Sequence, residues 1–200
     1  MGSGDASLKR RLFVALMFPP SVQEEIAKRC AEWGELKQAF GGRFAREFHI
    51  TLKFLGAVSE EQIERLDEAF RAALEGMVSF PVTAGELGAF PTASVARVLW
   101  WGTAEGTEPL QEAARRVERA AEPFGFPPEG RPFVPHVTLA RFRRPAALRR
   151  WIEQRNWELQ TGSRQGFSEF QALEFALVES RLRPEGPLYT PLATYRLAAA

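Results

Sequence analysis

Two short stretches of the chain repeat one pattern, His49-Ile50-Thr51-Leu52 and His136-Val137-Thr138-Leu139. The chain of 200 residues contains no other histidine. In a chain of this composition, two histidines that are each followed by threonine and leucine at the same spacing rarely arise by chance. The repeat therefore indicates two equivalent acid–base groups that face one another, which favours a catalytic function.

Both motifs have the composition of buried β-strands, in which side chains alternate between two faces. In the first stretch, the face expected in the core carries Phe48, Ile50, Leu52 and Phe54. The opposite face is expected to carry His49, Thr51 and Lys53. In the second stretch, His136 and Thr138 are expected to lie opposite the core-facing Val137 and Leu139. Apolar packing beneath the strands would hold both His-Thr pairs rigidly in a shared cleft.

The rest of the chain alternates between strand and helix patterns. Apolar runs and alternation predict strands over 11–18, 48–55, 79–87, 96–101, 134–142, 172–180 and 188–197. Helices are predicted over 22–36 with Ser21 as N-cap, over 59–74 with a Ser59–Gln62 capping box, and over 110–121 and 146–153. Each half contributes one motif strand. The pattern predicts an internal duplication that forms two lobes of a single domain over residues 1–200.

Charge and composition narrow the classes of function. The formal net charge of +1 gives no global attraction to nucleic acid or membrane, so any basic patch must be local. Cys30 is the single cysteine, which excludes an intrachain disulfide and fits a reducing compartment. The longest apolar run, 12–20, is too short to cross a bilayer. We expect a soluble, cytoplasmic protein that does not enter membranes and whose residues 1–8 are disordered.

The residue types of the repeat suit phosphodiester chemistry. An imidazole titrates near neutrality, so one ring can accept a proton while the other donates one. A threonine two residues along the strand lies about 7 Å away on the same face, where its hydroxyl can bind a phosphate oxygen. A two-metal nuclease would need carboxylates around the site. Because Glu47 is expected to point away from His49, the sequence predicts neither a metal nor a cofactor.

At these residues the chain resembles the two-histidine phosphoesterase superfamily, and within it the RNA 2′,3′-cyclic phosphodiesterases once described as 2′-5′ RNA ligases. The resemblance rests on Arg11-Leu12-Phe13-Val14-Ala15-Leu16, Phe48-His49-Ile50-Thr51-Leu52-Lys53-Phe54-Leu55-Gly56 and Pro135-His136-Val137-Thr138-Leu139-Ala140-Arg141. It implies a bilobal α+β fold of duplicated β-α-β units, with two antiparallel sheets around a central cleft and one His-x-Thr strand per lobe. It also implies metal-independent hydrolysis of RNA 2′,3′-cyclic phosphate ends to 2′-phosphomonoesters.

The resemblance further implies a role for each site residue. His49 matches the general acid that protonates the departing ribose oxygen, and His136 matches the general base that activates water. Thr51 and Thr138 would hold phosphate oxygens, and Arg141 would contact the phosphate. Run backwards, the same site would join a cyclic phosphate end to a 5′-hydroxyl end through a 2′-5′ linkage without ATP. The implied partner is RNA, including tRNA-like fragments, bound by a monomer.

Several neighbouring residues have two interpretations. Strict alternation places Arg141 on the core side, so a bulge or strand end near Ala140 is needed to turn it into the cleft. Lys53 is either a cleft residue or a solvated lysine. Phe13 and Phe90 either stack on a terminal base or pack in the core. A cluster that could follow an RNA backbone, or only decorate an exposed turn, contains Arg141, Arg143, Arg144, Arg149 and Arg150.

Two other functions remain open from the sequence. One is a phosphodiesterase that acts on small cyclic nucleotides or on 2′-5′ oligonucleotides. The other is a module that binds a nucleotide or a 2′-phosphorylated RNA end without turnover. A pure binding site does not require a base opposite an acid, so the retention of both His-Thr pairs favours an enzyme.

Overall fold

A computed structural model describes residues 9–163, 165–184 and 186–199. The disorder expected for residues 1–8 therefore lies outside the described residues. The strands are β1 (Arg10–Met17), β2 (Gly42–Phe44), β3 (His49–Val58), β4 (Phe80–Val82), β5 (Ala84–Phe90), β6 (Ala96–Thr103), β7 (His136–Ala146), β8 (Phe170–Ala172), β9 (Glu174–Arg183) and β10 (Gly186–Arg196). The helices are α1 (Pro20–Glu32), α2 (Gly34–Phe40), α3 (Glu60–Leu74), α4 (Thr107–Ala121) and α5 (Arg149–Gln160).

The α+β class is confirmed, with the two motif strands at the centre of a large antiparallel sheet. The strand order is β10-β9-β1-β3-β7-β6-β5, and β2 also pairs with β7. β3 and β7 pair through one residue from each strand, Ile50 and Val137. This single pair joins the two expected sheets into one. Beyond it β3 and β7 separate, and β2 occupies part of the edge of β7 that β3 leaves free.

The two halves of the duplication exchange their last strands. The first half runs through β3 and α3 to β4 and β5, and β5 pairs with β6 of the second half. The second half runs through β7 and α5 to β8 and β9, and β9 pairs with β1 of the first half. β4 and β8, which precede the exchanged strands, pair with each other in a small second sheet. Because each half is completed by the other, we infer that they fold as one domain.

The helices cover one face of the large sheet and leave the other face for the site. On the covered face, Leu12 and Leu16 of β1 enter the main core with Leu66 of α3 and Leu110 of α4. The open face carries a much smaller apolar cluster of Phe13, Ala15, Ala176 and Val178. Because β1 is buried on both faces, it gives β3 a rigid neighbour.

Most predicted elements are present, with shifted ends. The Ser59–Gln62 capping box forms as predicted. Ser21, however, is not an N-cap, because α1 begins at Pro20 and Pro19 occupies the cap position. The strand predicted over 79–87 is divided into β4 and β5, which belong to different sheets.

Three further differences concern helix ends and one short strand. The helix predicted over 22–36 is divided at Trp33 into α1 and α2. The helix predicted over 146–153 begins at Arg149 instead, since β7 extends to Ala146. β2 was missed because three residues carry too little pattern to indicate a strand. In the part of the chain that the structure describes, no helix has the length and apolar character needed to cross a membrane.

Candidate active site

The pairing of β3 with β7 brings the four motif side chains together on the open face of the sheet. In an antiparallel pair, residue numbers increase along one strand while they decrease along its partner. The Ile50–Val137 pair therefore brings His49 to the side of Thr138, and Thr51 to the side of His136. Residues that face each other across such strands are about 5 Å apart, and residues two apart along one strand about 7 Å. The two imidazoles thus stand at diagonal corners of a small rectangle, with the two hydroxyls at the others.

Both motif strands contain a β-bulge at the leucine of the motif. On β3, Val14 pairs with Lys53 and Ala15 pairs with Thr51, so Leu52 is the extra residue. On β7, Leu99 pairs with Ala140 and Trp100 pairs with Thr138, so Leu139 is the extra residue. An extra residue reverses the alternation of the side chains that follow it, up to the next irregularity of the strand. The duplication therefore extends to the backbone irregularity that follows each His-x-Thr.

The bulge in β7 turns Arg141 towards the cleft, as the sequence analysis required. Leu139 and Ala140 are both buried, and the exposed Arg141 lines a cavity together with Thr138. Its guanidinium cation lowers the pKa of both His49 and His136, after the larger effect of burial. Arg141 is therefore within electrostatic reach of both imidazoles.

The bulge in β3 makes two predictions wrong. Lys53, expected on the cleft face or in solvent, is buried in the protein, with its side chain only 2% exposed. Phe54, expected in the core, lies on the open side with 59% of its surface exposed, and its ring packs on Phe13 with centroids 5.9 Å apart. Strict alternation failed because Leu52 and Lys53 both face the helices.

Buried Lys53 ties the loop before the second motif to the body of the protein. Its Nζ donates a hydrogen bond of 2.8 Å to the carbonyl oxygen of Pro127 and lies 3.8 Å from Oε1 of Glu118. The same Glu118 oxygen accepts a hydrogen bond of 2.9 Å from the backbone N–H of Glu129. Lys53 therefore supports the segment that leads to His136, and it does not face the cleft.

His49 is enclosed by aromatic rings. The ring centroids of Phe13 and Tyr189 each lie 4.9 Å from that of His49, with Tyr189 approaching edge-on. The pKa of His49 is lowered to about 4, with burial as the largest cause and smaller effects from the Arg141 and His136 cations. The Nδ1 atom is buried and has no hydrogen-bond partner. Because an unpaired donor costs more in burial than an unpaired lone pair, the neutral ring is expected to carry its proton on Nε2.

His136 has a matching aromatic enclosure and a different hydrogen bond. Phe90 packs edge-on with a centroid distance of 5.0 Å, and Trp100 lies at 5.9 Å. The Nδ1 atom lies 2.7 Å from the carbonyl oxygen of Val134. A carbonyl only accepts, so Nδ1 carries the proton and Nε2 keeps a lone pair. Burial lowers the pKa of His136, and the bond to Val134 opposes this effect.

The two rings are therefore chemically different, although the sequence motifs are the same. When both imidazoles are neutral, His136 presents a proton acceptor at Nε2, and His49 is expected to present N–H there. The difference comes from Val134, which precedes one histidine, and from the unpaired Nδ1 of the other. Sequence reasoning could not find it, because it depends on where a loop carbonyl lies.

A glutamine that the sequence analysis did not single out fixes the start of β3. The Gln23 side chain on α1 donates to the carbonyl oxygen of Phe48 at 2.8 Å and accepts from the N–H of Phe48 at 2.7 Å. Both backbone groups of the residue before His49 are thereby held. No local pattern in the sequence marks Gln23 as a site residue, because its partner is 25 residues away.

The structure places several residues for which the sequence allowed two interpretations or predicted another orientation. Phe13 and Phe90 both pack on the histidines, and Phe13 is buried and not free for a base. Glu47 does not point away, because it lines the cavity that contains Thr138, and burial raises the pKa of its carboxyl. Of the five arginines in the cluster directly after the second motif, Arg141 lines that cavity and the other four lie outside it on the exposed surface.

The cavity opens directly from the second motif and has a volume of about 640 Å³. It has the size range of small-ligand sites in proteins. Its lining includes Thr138, Arg141 and Tyr189. Among the described residues, no three histidine, cysteine, aspartate or glutamate side chains come together in the way that a metal ion requires. The polar groups around the two motifs are imidazoles, hydroxyls and the Arg141 guanidinium, and the cavity lining adds the carboxyl of Glu47.

A duplicated fold that places one His-x-Thr strand from each half side by side defines a two-histidine phosphoesterase. The chain belongs to the 2′-5′ RNA ligase superfamily, whose model matches residues 18–180. The resemblance stated from the motifs is therefore confirmed.

Relatives and solved structures agree with this assignment. The RNA 2′,3′-cyclic phosphodiesterase of Methanothermobacter thermautotrophicus is 33% identical over 149 residues, which are 74% of this chain and 78% of the relative. That of Aeropyrum pernix is 34% identical over 156 residues, 76% of this chain and 84% of the relative. The crystal structure of Escherichia coli LigT in apo form superposes with a TM-score of 0.73 at 26% identity, covering 96% of this chain and 99% of that one. LigT complexed with 3′-AMP gives a TM-score of 0.72 at 26% identity, covering 94% of this chain and 98% of that one.

The position of Lys53 predicts that it matters for stability. We expect Lys53→Met to lower the free energy of unfolding by about 1–3 kcal/mol, because it leaves the Pro127 carbonyl and Glu118 without their buried cationic partner. Urea denaturation measures this loss. The matched control is Lys28→Met on the exposed surface of α1, which is expected to change stability by less than about 0.5 kcal/mol. Equal effects of the two substitutions would contradict a supporting role for Lys53.

The two histidines can be titrated individually by NMR of protein labelled at histidine, because the chain has no others. We expect His49 to titrate near pH 4, and His136 below the ordinary histidine pKa of about 6.5. In Arg141→Gln, both pKa values are expected to rise, because a nearby cation disfavours the charged imidazolium form. Unchanged titration of both rings in this variant would show that Arg141 does not face them.

Proposed function

We propose that the protein hydrolyses 2′,3′-cyclic phosphate ends of RNA to 2′-phosphomonoesters, with His49 as proton donor and His136 as proton acceptor. The observation that carries the proposal is the pair of imidazoles on facing strands, with opposite neutral tautomers expected at the cleft. Relatives that are 33% and 34% identical over the aligned residues are RNA 2′,3′-cyclic phosphodiesterases, which supports the same substrate here.

In the proposed reaction, a water molecule attacks phosphorus in line with the bond to the ribose 3′ oxygen. His136 takes a proton from this water through Nε2, which its bond to Val134 leaves free to accept. The bond between phosphorus and the 3′ oxygen breaks, and His49 delivers a proton to that oxygen. The product carries a 2′-phosphate and a 3′-hydroxyl, and the proton taken by one ring balances the proton lost by the other.

Thr51 and Thr138 are proposed to bind the non-bridging phosphate oxygens, with Arg141 opposite the charge that develops in the transition state. The phosphate anion also favours the protonated form of His49, which Arg141 and burial disfavour in the free protein. Substrate binding would therefore prepare the acid for its role. A reaction carried by these side chains needs no metal ion.

The same groups would catalyse the equivalent attack on the cyclic phosphate by a 5′-hydroxyl RNA end in place of water, which is the reverse of cleaving a 2′-5′ linkage. His136 would activate the 5′-hydroxyl, and the product would be a 2′-5′ linkage formed without ATP. We propose this ligation as a secondary activity, with tRNA-like fragments among the possible substrates. We also propose that the protein acts as a monomer in the cytoplasm, where its single thiol, Cys30, is protected by burial that raises its pKa to about 12.

The first test incubates the purified protein with a short RNA that ends in a 2′,3′-cyclic phosphate, with EDTA present, and follows the phosphate by phosphorus NMR. The wild type is expected to give a 2′-phosphate. His49→Ala and His136→Ala are each expected to lower kcat by about 10²–10⁴-fold, because each removes one proton-transfer group. Binding of the RNA without turnover by the wild type would sink the enzyme proposal and favour the binding module.

The pKa directions also predict the pH dependence of kcat/KM, which reports the free enzyme. The productive form has His49 protonated and His136 neutral. Because burial lowers both pKa values, with His49 at about 4, the population of this form falls as pH rises above the pKa of His136. We expect a bell-shaped profile with its maximum below pH 6.5, set by two macroscopic pKa values of the pair. A plateau that extends to pH 9 would exclude His49 as the acid.

A further inference from the structure

The segment that leads into the second motif has little structure of its own. This segment, residues 126–135, contains no helix or strand, and its four prolines have no backbone N–H to donate. Phe126 and Phe133 pack partly against the main core, and residues 127–132 between them are exposed. Its position therefore depends on the contacts that tie it to the rest of the protein. We refer to this segment as the His136 loop.

Two hydrogen bonds tie the His136 loop to the body of the protein behind the first motif. Lys53 Nζ, on the helix-covered side of β3, donates one of 2.8 Å to the carbonyl oxygen of Pro127. The N–H of Glu129 donates one of 2.9 Å to Oε1 of Glu118, and this oxygen lies 3.8 Å from Lys53 Nζ. Hydrogen bonds with an ionised partner are stronger than neutral ones, and a buried setting strengthens them. Lys53 thus links the strand of the first motif to the loop of the second.

The His136 loop supplies two groups to the imidazole of His136. One is the carbonyl oxygen of Val134, which lies 2.7 Å from Nδ1, and the other is the carboxylate of Glu129. Burial has the largest effect on the pKa of His136 and lowers it. The bond to Val134 raises this pKa, the Arg141 cation on the same strand lowers it, and the Glu129 carboxylate raises it. Both groups of the loop therefore favour the protonated ring.

A group that favours the protonated ring makes His136 a stronger base. In the proposed reaction, Nε2 takes a proton from the attacking water and the ring becomes an imidazolium. A nearby carboxylate stabilises this cation, and so does a carbonyl that accepts the Nδ1 proton. The proton stays on Nε2, so Glu129 remains ionised throughout. Its negative charge also opposes the effect of the Arg141 cation on the ring.

We propose that Lys53 and Glu118 are positioning residues for the proton acceptor, because they hold the His136 loop against β3 and α4. Held there, the loop strengthens His136 as a base through the Val134 carbonyl and the Glu129 carboxylate. The inference rests on the proposed function, since it concerns the base of that reaction. It also gives a reason for a lysine that is buried behind a strand whose other face carries the first motif.

The first test removes the charge of Glu129, an exposed residue whose substitution is expected to keep the fold. In Glu129→Gln, the pKa of His136 is expected to fall in an NMR titration of histidine-labelled protein, because the ring loses a stabilising carboxylate. Any change at His49 is expected to be smaller, since Glu129 acts on it only through His136. The matched control is Glu122→Gln, which removes an exposed carboxylate shortly before the loop and is expected to leave both titrations unchanged.

The same variants are compared for kcat/KM on the cyclic-phosphate RNA at about pH 8, where both imidazoles are mostly neutral in the free protein. At this pH the substitution changes the strength of the base and not its protonation. Glu129→Gln is expected to lower kcat/KM by about threefold or more, because a weaker base is less effective in proton transfer. Glu122→Gln is expected to keep the wild-type value, and it controls for the attraction of RNA to a protein with one negative charge fewer.

The second test frees the loop without changing Glu129. Glu118→Ala removes the acceptor of the Glu129 N–H, and the pKa of His136 is expected to fall as it does in Glu129→Gln. In the double variant, the two shifts are expected to add to less than their sum, because a loop that is no longer held has already lost much of the effect of Glu129. Lys53→Met is expected to behave as Glu118→Ala does. Thermal unfolding followed by circular dichroism verifies that each titration is made on folded protein.

The outcomes distinguish the two proposals. An unchanged pKa of His136 in Glu129→Gln, or an equal fall in Glu122→Gln, would overturn the role of the Glu129 carboxylate. Fully additive shifts in the double variant would overturn the positioning role of Glu118. These readouts are titrations and do not depend on turnover, so a wild type that leaves the RNA end cyclic would overturn the proposed function alone.

Discussion

The contact between Ile50 and Val137 is the constraint on which the site depends. It fixes the antiparallel register of the two motif strands, and with it the diagonal placement of the two imidazoles and the two hydroxyls. Because the strands meet at this one pair and then separate, the edge of β7 beyond it is open to β2. The same contact thus fixes both the position of the two motifs and the start of the cavity lined by Thr138 and Arg141.

The two motif strands are related by an approximate twofold symmetry of the backbone, but the side chains at equivalent positions differ. The bulges at Leu52 and Leu139 are equivalent, so the residues two positions later, Phe54 and Arg141, occupy equivalent places on the open face. One is an exposed aromatic ring and the other a cation. The histidines differ in the same way, since only His136 has a carbonyl partner at Nδ1. An acid and a base can therefore arise from one duplicated motif, through neighbours that diverged.

The sequence predicted the fold class and both motif faces, because two-residue alternation holds from His49 to Thr51 and from His136 to Thr138, ahead of each bulge. It failed directly after the bulge in β3, where Lys53 and Phe54 exchange faces, because a single extra residue leaves no mark in the apolar pattern. The sequence could place Arg141 in the cleft only on the condition that the strand contains a bulge or ends near Ala140. Gln23 and Tyr189 were missed because their contacts with the motif join distant segments of chain.

The arrangement of the site lowers the stability of the folded state, and packing elsewhere in the protein offsets this cost. Enclosing His49 between Phe13 and Tyr189 lowers its pKa to about 4, whereas the unfolded chain has an ordinary value of about 6.5. Above pH 6.5 both states are neutral and the full stability is present. As pH falls towards 4 the unfolded state takes up the proton first, so about 3 kcal/mol of stability is lost. Arg43 and Arg141 are direct cross-strand partners on β2 and β7, and the repulsion between their like charges also destabilises the folded state. A phosphate bound as proposed would relieve both penalties, because an anion stabilises the imidazolium and the two guanidinium groups together.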